Sequence, residues 1–376
     1  MKFGLLCAPH WPDNYSQRQV YSDVVGHILE AERLGFWSAW VTEHHFASDP
    51  DYKPFGKEGR FPAYDVIVDP LSFLGFVASR TTSIRLGTGV MVVHYDDPLR
   101  LAERAAMVDL MSGGRLELGL GRGGGKKEPA AFGVPADDKG NQDRYFEALD
   151  VIRQAWTSEP FEHKGEYYKY PKITVIPEPK QKPIPVFLSN RNPRAIAYAA
   201  EHGMSYTAVT SAWGSSGIDS HNEFHDRFVK LATENGRDVS QCDYPQTLYC
   251  YIAPTDAEAV DMAYECIQRR DCFAESHYET RRGGSASPLT PHQAARTTFD
   301  EQFKGQLNTN LIGSPKTVAE KLTALRERMP SLNYVLAIVG AGAGPVEFDR
   351  RSIQLLATEV MPKFAPVSPE PALERV

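Results

Sequence analysis

Residues 84–120 read IRLGTGVMVVHYDDPLRLAERAAMVDLMSGGRLELGL, and this stretch decides the fold. Ile84 to Val93 is an apolar, β-branched run that predicts a strand. Pro98 to Met111 has helical periodicity behind an opening proline, and Ser112-Gly113-Gly114 stops it before a second strand-like run, Leu116 to Leu120. The unit is strand, helix, strand.

The same alternation runs outward in both directions. Upstream, Lys2 to Cys7 predicts a strand, Gln19 to Leu34 a helix closed by Gly35, and Ser38 to Thr42 the next strand. Downstream, strands are expected at Val186 to Ser189, Tyr206 to Val209, Thr247 to Ile252 and Asn333 to Val339. Helices are expected at Gln142 to Trp156, Ala195 to His202, Glu223 to Thr233, Ala257 to Gln268 and Phe348 to Val360. Eight alternating units place the chain in the α/β class as a (β/α)8 TIM barrel with loop insertions. One domain over residues 1–364 is expected, with insertions at 48–69, 161–183 and 270–310 and a flexible tail at 365–376. The middle insertion, containing EYYKYPKITVIPEPK, reads as a β-hairpin; the other two are long enough to shape the barrel mouth.

Composition narrows the function. The 376 residues are 42% hydrophobic and 24% charged, a globular balance, and no apolar run nears the roughly 20 residues of a membrane span. Lys and Arg total 41 against 48 Asp and Glu, a net charge of −7 that argues against nucleic-acid or anionic-membrane surfaces as partners. Cys7, Cys242, Cys250, Cys266 and Cys272 are odd in number and lack C-x-x-C spacing, so reduced thiols in the cytoplasm fit better than disulfides or a metal site.

Two constellations carry chemistry. The second strand ends in Glu43-His44-His45-Phe46, a carboxylate and two imidazoles at the carboxyl end of a barrel strand, where barrel active sites form. A histidine there can relay protons; the alternative is that Glu43 and one histidine only tie down neighbouring loops. Adjacent histidines point to opposite faces of a strand, which disfavours a shared metal. The fourth strand opens into Gly121-Arg122-Gly123-Gly124-Gly125, whose backbone N–H groups and guanidinium suit a phosphate, whereas Lys126 and Lys127 read as solvated charges. Gly87 and Gly89 leave room for a flat ligand or for close strand packing. Asn190, Arg191 and Arg194 join the fifth strand to a helix and offer a second anion contact, while Asn192 before Pro193 is equally a helix cap.

These motifs resemble the bacterial luciferase-like flavin-dependent monooxygenase family. EHHF at 43–46, T-x-x-I-R-L-G-T-G-V at 81–90, D-P-L-R-L-A-E at 97–103, S-G-G-R-L-E-L-G-L-G-R-G at 112–123 and G-S-P-K-T-V-A-E-K-L at 313–322 occur in that family's order and spacing. The resemblance spans roughly residues 1–255 and 308–364. It implies reduced FMN (FMNH2) at the carboxyl end of the barrel, O2 as co-substrate activated as a C4a-peroxyflavin, a separate flavin reductase and a homodimer. His44 matches the family's catalytic histidine and Glu43 a residue beside the flavin. Gly89-Val90 matches a pair joined by a non-prolyl cis peptide, and Gly121-Arg122 carries the phosphate-binding arginine. The loop of Asn190, Arg191 and Arg194 departs from the pattern, which leaves phosphate binding there to guanidinium groups.

The implied function is a two-component monooxygenase inserting one oxygen atom into an aldehyde, a ketone or a natural-product scaffold. The alternatives are an F420-dependent dehydrogenase of the same superfamily and a non-catalytic flavin-binding subunit. The 270–310 insertion, with Arg281-Arg282-Gly283-Gly284, is expected to close over the site as a lid.

Overall fold

Lys2–Cys7, Ser38–Val41, Arg85–Thr88, Leu116–Gly121 and Val186–Leu188 stand side by side in chain order as the first five strands of a parallel sheet. The sixth strand is split around Thr207: Ser205–Tyr206 pairs with the fifth strand, and Ala208–Val209 pairs with the seventh, Pro245–Ile252. The eighth, Tyr334–Val339, lies between the seventh and the first. Thr207 joins the two ends of the curled sheet, its N–H donating to Leu188 O at 3.1 Å and its hydroxyl to Pro245 O at 3.0 Å. The architecture is the expected (β/α)8 barrel. This computed structural model describes residues 1–10, 16–46, 67–123, 127–134, 138–157, 159–189, 192–209, 215–240, 242–278, 303–341, 344–365 and 367–369.

Both faces of a parallel barrel strand are buried, which is why the strands read as near-continuous apolar runs. Phe3, Leu5 and Cys7 face outward onto the helix Gln17–Arg33 with its Val24, Val25, Ile28 and Ala31. Leu6, Trp40, Phe187, Tyr249, Tyr334 and Leu336 fill the interior, and each large side chain withdrawn from water contributes roughly 1.5–3 kcal/mol. Helix starts follow the sequence signals. Asp97 accepts from the N–H groups of Leu99 and Arg100 ahead of Pro98, and Ser314 accepts from Thr317 N ahead of Pro315.

Some elements depart from expectation. A helix, Pro70–Ala78, follows the first insertion; its sequence PLSFLGFVA is apolar all round, so no amphipathic stripe announces it. The third strand stops at Thr88 and resumes as Met91–Val92 after a cis Gly89–Val90 peptide. The helix Asp256–Tyr278 runs into the region read as the third insertion, residues 303–309 are helical, and Leu311–Gly313 adds a parallel strand to the seventh. Residues 279–302, including the glycines of the expected lid, and residues 47–66 lie outside the described residues. The hairpin forms, Phe161–Lys164 pairing antiparallel with Lys169–Ile173. Of the tail, Val367 N–H donates to Met1 O at 3.3 Å and the Ser368 hydroxyl to Gly35 O at 3.2 Å. Among the described residues no helix is long and apolar enough to cross a membrane.

The amino end of the barrel is closed by a buried carboxylate. Glu117 Oε1 accepts from Trp37 Nε1 at 2.9 Å and Arg85 Nε at 2.8 Å, and Oε2 accepts from Trp40 Nε1 at 2.8 Å and the Tyr334 hydroxyl at 2.9 Å. A buried charge survives only with such complete pairing. Trp40 reaches it by lying over Gly87, where a Cβ would come within 2.1 Å of the indole, so close packing accounts for this glycine.

Candidate active site

The opposite end of the barrel gathers the sequence-predicted residues. Chain leaving the second strand places Glu43 in a buried position, where Oε2 accepts from Val92 N at 2.5 Å and Oε1 meets His45 Nε2 at 3.1 Å. Burial pushes the Glu43 carboxyl above the ordinary range, while the His45 and Val92 hydrogen bonds pull it back. Both oxygens are thus committed to holding the second strand's exit against the segment that follows the cis peptide. This geometry matches the tie-down alternative for Glu43.

His44 and His45 part company, as neighbours leaving a strand should. The His45 ring meets Tyr95 and Phe132 edge to face, with centroids at 5.4 and 4.7 Å. His44 stays partly open to solvent; its N–H donates to Ile67 O at 3.2 Å and its Nδ1 lies 3.5 Å from Glu128 Oε1. Phe46, at φ 66°, turns the chain away through a conformation that bulky residues rarely adopt.

A cationic cluster stands at the end of the fourth strand. Arg122 is half-buried there, and His94 beside it is buried, with Nε2 against Asn141 Oδ1 at 3.1 Å. Its Nδ1 has no hydrogen-bond partner among the described residues. Burial, then the charges of Arg144 and Arg122, hold the His94 imidazole down to about 4, so it is neutral near pH 7 and an anion placed beside these arginines is favoured. Arg194 pairs with Asp143 and lies 4.3 Å over the Phe146 ring. Asn192 is the helix cap, accepting from Arg194 N at 2.8 Å, and its amide donates to Gln142 Oε1 at 2.6 Å. Asn190 and Arg191 lie outside the described residues.

Gly89, Gly119 and Gly121 are closely packed. A Cβ on Gly89 would sit 2.6 Å from Leu6 Cδ1, one on Gly119 2.0 Å from Thr88 O, and one on Gly121 2.5 Å from Val90 Cγ2. The third and fourth strands therefore approach each other backbone to backbone, with the Thr88 hydroxyl donating to Gly119 O at 2.7 Å. The Gly89–Val90 peptide between them is cis, as the sequence resemblance implies. Residues 1–331 match the family model described as luciferase-like monooxygenase. The chain belongs to the luciferase-like monooxygenase family.

Similar proteins agree with this membership. The chain is 26% identical over 358 residues to the flavin-dependent trigonelline monooxygenase, oxygenase component, of Acinetobacter baylyi, covering 94% of this chain and 92% of that one. Among solved structures, the monooxygenase RslO1 of Streptomyces bottropensis superposes with a TM-score of 0.81 at 24% identity, covering 97% of this chain and all (100%) of that one. The oxygenating constituent of 3,6-diketocamphane monooxygenase of Pseudomonas putida, a type II Baeyer–Villiger monooxygenase in complex with FMN, gives 0.73 at 20% identity over 98% and 99% of the two chains. The last two likenesses concern the fold. In this luciferase-like chain the sequence reading passed over His94, Asn141, Tyr95 and Glu128. His94 and Tyr95 stand just after the interrupted third strand, and a single polar pair following an apolar run was the available signal. Glu128 gave none, because its partners lie 33 to 84 residues away in the chain. Among the described residues no group of three or more His, Cys, Asp and Glu side chains could hold a metal ion.

Proposed function

We propose that this luciferase-like monooxygenase uses reduced FMN and O2 to insert one oxygen atom into a small organic substrate. The observation that carries this reading is the pairing, at one end of the barrel, of the partly exposed His44 imidazole with a cationic cluster, Arg122 and Arg144 around the buried His94, whose Nδ1 has no hydrogen-bond partner among the described residues. This cluster fits a phosphate monoester: Arg122 supplies a charged fork and Arg144 a second positive charge, while the neutral His94, whose Nε2–H donates to Asn141 Oδ1, offers Nδ1 as an acceptor for a hydroxyl of the bound group.

When bound, the reduced flavin supplies the electron pair that activates O2, one atom going to the substrate and the other leaving as water. His44 holds and delivers a proton at Nε2 in this reading, since its Nδ1 lies 3.5 Å from Glu128 Oε1. Glu43 positions the turn that carries His44 and does not itself reach the reacting atoms. Asn190 and Arg191 complete the anion contacts in this reading, and Arg194 contributes packing. Electrons come from a separate flavin reductase, the arrangement that the phrase "oxygenase component" in the Acinetobacter relative's name suggests. The protein works as a homodimer in the cytoplasm; Phe76 on one helix and Met107, Leu110 and Met111 on its neighbour, each about half exposed, form the apolar face that a second copy covers.

The test is single-turnover oxygenation with photoreduced FMN, ¹⁸O₂ and a panel of aldehydes, ketones and aromatic natural-product scaffolds. One ¹⁸O atom per product is expected, and His44→Ala should lower turnover by about 100-fold while the protein stays folded. Full activity in that variant, or reduction of F420 by a substrate without oxygen uptake, rejects the reading.

A further inference from the structure

We propose that Glu128 is the positioning residue of His44, fixing its ring so that Nδ1 carries the proton and Nε2 exchanges protons at the barrel mouth. The inference rests on the reading of His44 given above and adds a residue to it. Glu128 lies on the short helix Lys127–Ala131, directly after the glycine-rich exit of the fourth strand, and is 5% exposed. A carboxylate so deeply buried requires partners, and its partners converge from two other strand exits. Oε1 accepts the His45 N–H at 2.8 Å and lies 3.5 Å from His44 Nδ1; Oε2 accepts the Tyr95 hydroxyl at 3.1 Å.

This arrangement does two things at once. The hydrogen bond to His45 N fixes the peptide between the two histidines, and the negative charge beside Nδ1 favours a proton on that nitrogen and the imidazolium over the neutral ring. It is the base-and-orienter logic of acid–base catalysis, in which a carboxylate sets the tautomer without taking the proton. Phe132, on the same connection, stacks on Tyr95 at 4.5 Å and meets His45 at 4.7 Å, so the carboxylate is held by packing from behind. Among the described residues, Glu128 meets the His44 ring from a neighbouring element, Tyr95 donates to Glu128, and Glu43 and His45 lie on His44's own segment. Glu43 and His45 are paired with each other, and Asp69, felt by Glu43, is paired with Arg104. Among the described residues Glu128 is therefore the carboxylate that pairs with the His44 ring.

Imidazole ¹⁵N and ¹H shifts of the unliganded protein test this without catalysis, the His44 signals being identified by their absence in His44→Gln. In the wild type the neutral His44 should be the Nδ1–H tautomer. In Glu128→Gln its titration midpoint should fall by about one pH unit or more, as expected when an opposite charge within about 4 Å is removed. In Tyr95→Phe, which disturbs the same cluster without removing the charge, the midpoint should stay at the wild-type value. With the full enzyme, Glu128→Gln should lower kcat about tenfold with KM unchanged and move the limb of the pH profile that reports His44 in the same direction. Finding the Nε2–H tautomer in the wild type, which needs no variant to fold, overturns the proposal, as does an unmoved titration in Glu128→Gln. If instead the shifts behave as described but His44→Ala is fully active, Glu128 still positions His44 and the catalytic reading of the imidazole is what falls.

Discussion

The two ends of this barrel treat a buried carboxylate in opposite ways. At the amino end Glu117 receives four side-chain donors from the second, third and eighth strands and the residue just before the second, so its charge is spent on fixing strands to one another. At the carboxyl end Glu43 and Glu128 each accept a backbone N–H, from Val92 and His45, and turn their remaining capacity toward imidazole rings or a phenol. One end binds itself shut. The other uses carboxylates to fix the backbone and leaves a titratable ring at the opening. The division follows the general rule that barrel stability and barrel chemistry occupy different ends.

Breaking the floor should have the largest effect. Glu117→Gln removes the charge that Arg85 and three neutral donors share, and the loss of one partner of a buried ion pair costs about 3–5 kcal/mol. Equilibrium urea unfolding reads this directly, and a cost below about 1 kcal/mol would show that the floor network is ornamental. Next in size is Gly87→Ala, whose methyl group would overlap the Trp40 indole. Overpacking of this kind costs about 1–3 kcal/mol, and because Trp40 donates to Glu117 the effect should be less than additive with Glu117→Gln in a double-mutant cycle.

The smallest effect sharpens the contrast from the mouth side, where burial keeps groups neutral. His27 and Asp349 line one cavity beside Cys7 and Gly340 at the carboxyl ends of the first and eighth strands. Burial holds His27 down to about 4 from 6.5, so between those values the unfolded chain takes up a proton that the fold refuses, and stability falls as pH falls. Burial holds Asp349 up at about 7 from 3.8, so the fold keeps a proton that the unfolded chain releases, and stability falls as pH rises. Between about 4 and 6.5 the two slopes oppose each other. Asp349→Asn should therefore expose a loss of stability on acidification, and His27→Gln a gain, each at most about 1.4 kcal/mol per pH unit. Denaturation midpoints across that window check this, and slopes unchanged from wild type in both variants would mean that neither group is held neutral.

Much of this division is legible in the sequence. The eight strands, the proline-led helix starts and the closing glycines are local signals, and the local backbone obeys them at Asp97–Pro98, Asn192–Pro193 and Gly203. The EHHF turn and Arg122 are likewise found at the mouth. What escapes is whatever depends on distant partners. Glu117 sits in LELGLG, and a lone carboxylate in an otherwise apolar central strand is a usable warning of a buried network, but nothing local shows that its donors are Trp37, Trp40, Arg85 and Tyr334. The helix Pro70–Ala78 escapes because it lacks a polar face. Glycines 87, 89, 119 and 121 read equally well as ligand contacts or packing sites, and only the neighbouring atoms show that a side chain there would clash.

In the function proposed above, the carboxyl end of this barrel holds a reduced flavin by its phosphate beside an imidazole. Anaerobic titration of wild type and Arg122→Ala with reduced FMN, followed by flavin fluorescence and calorimetry, addresses it most directly. Saturable binding to the wild type is expected, with affinity about 10- to 100-fold weaker in the variant, the loss of a charge-assisted fork worth about 1.5–3 kcal/mol. Equal affinity in the two proteins, or wild type that binds reduced F420 and not reduced FMN, would contradict it.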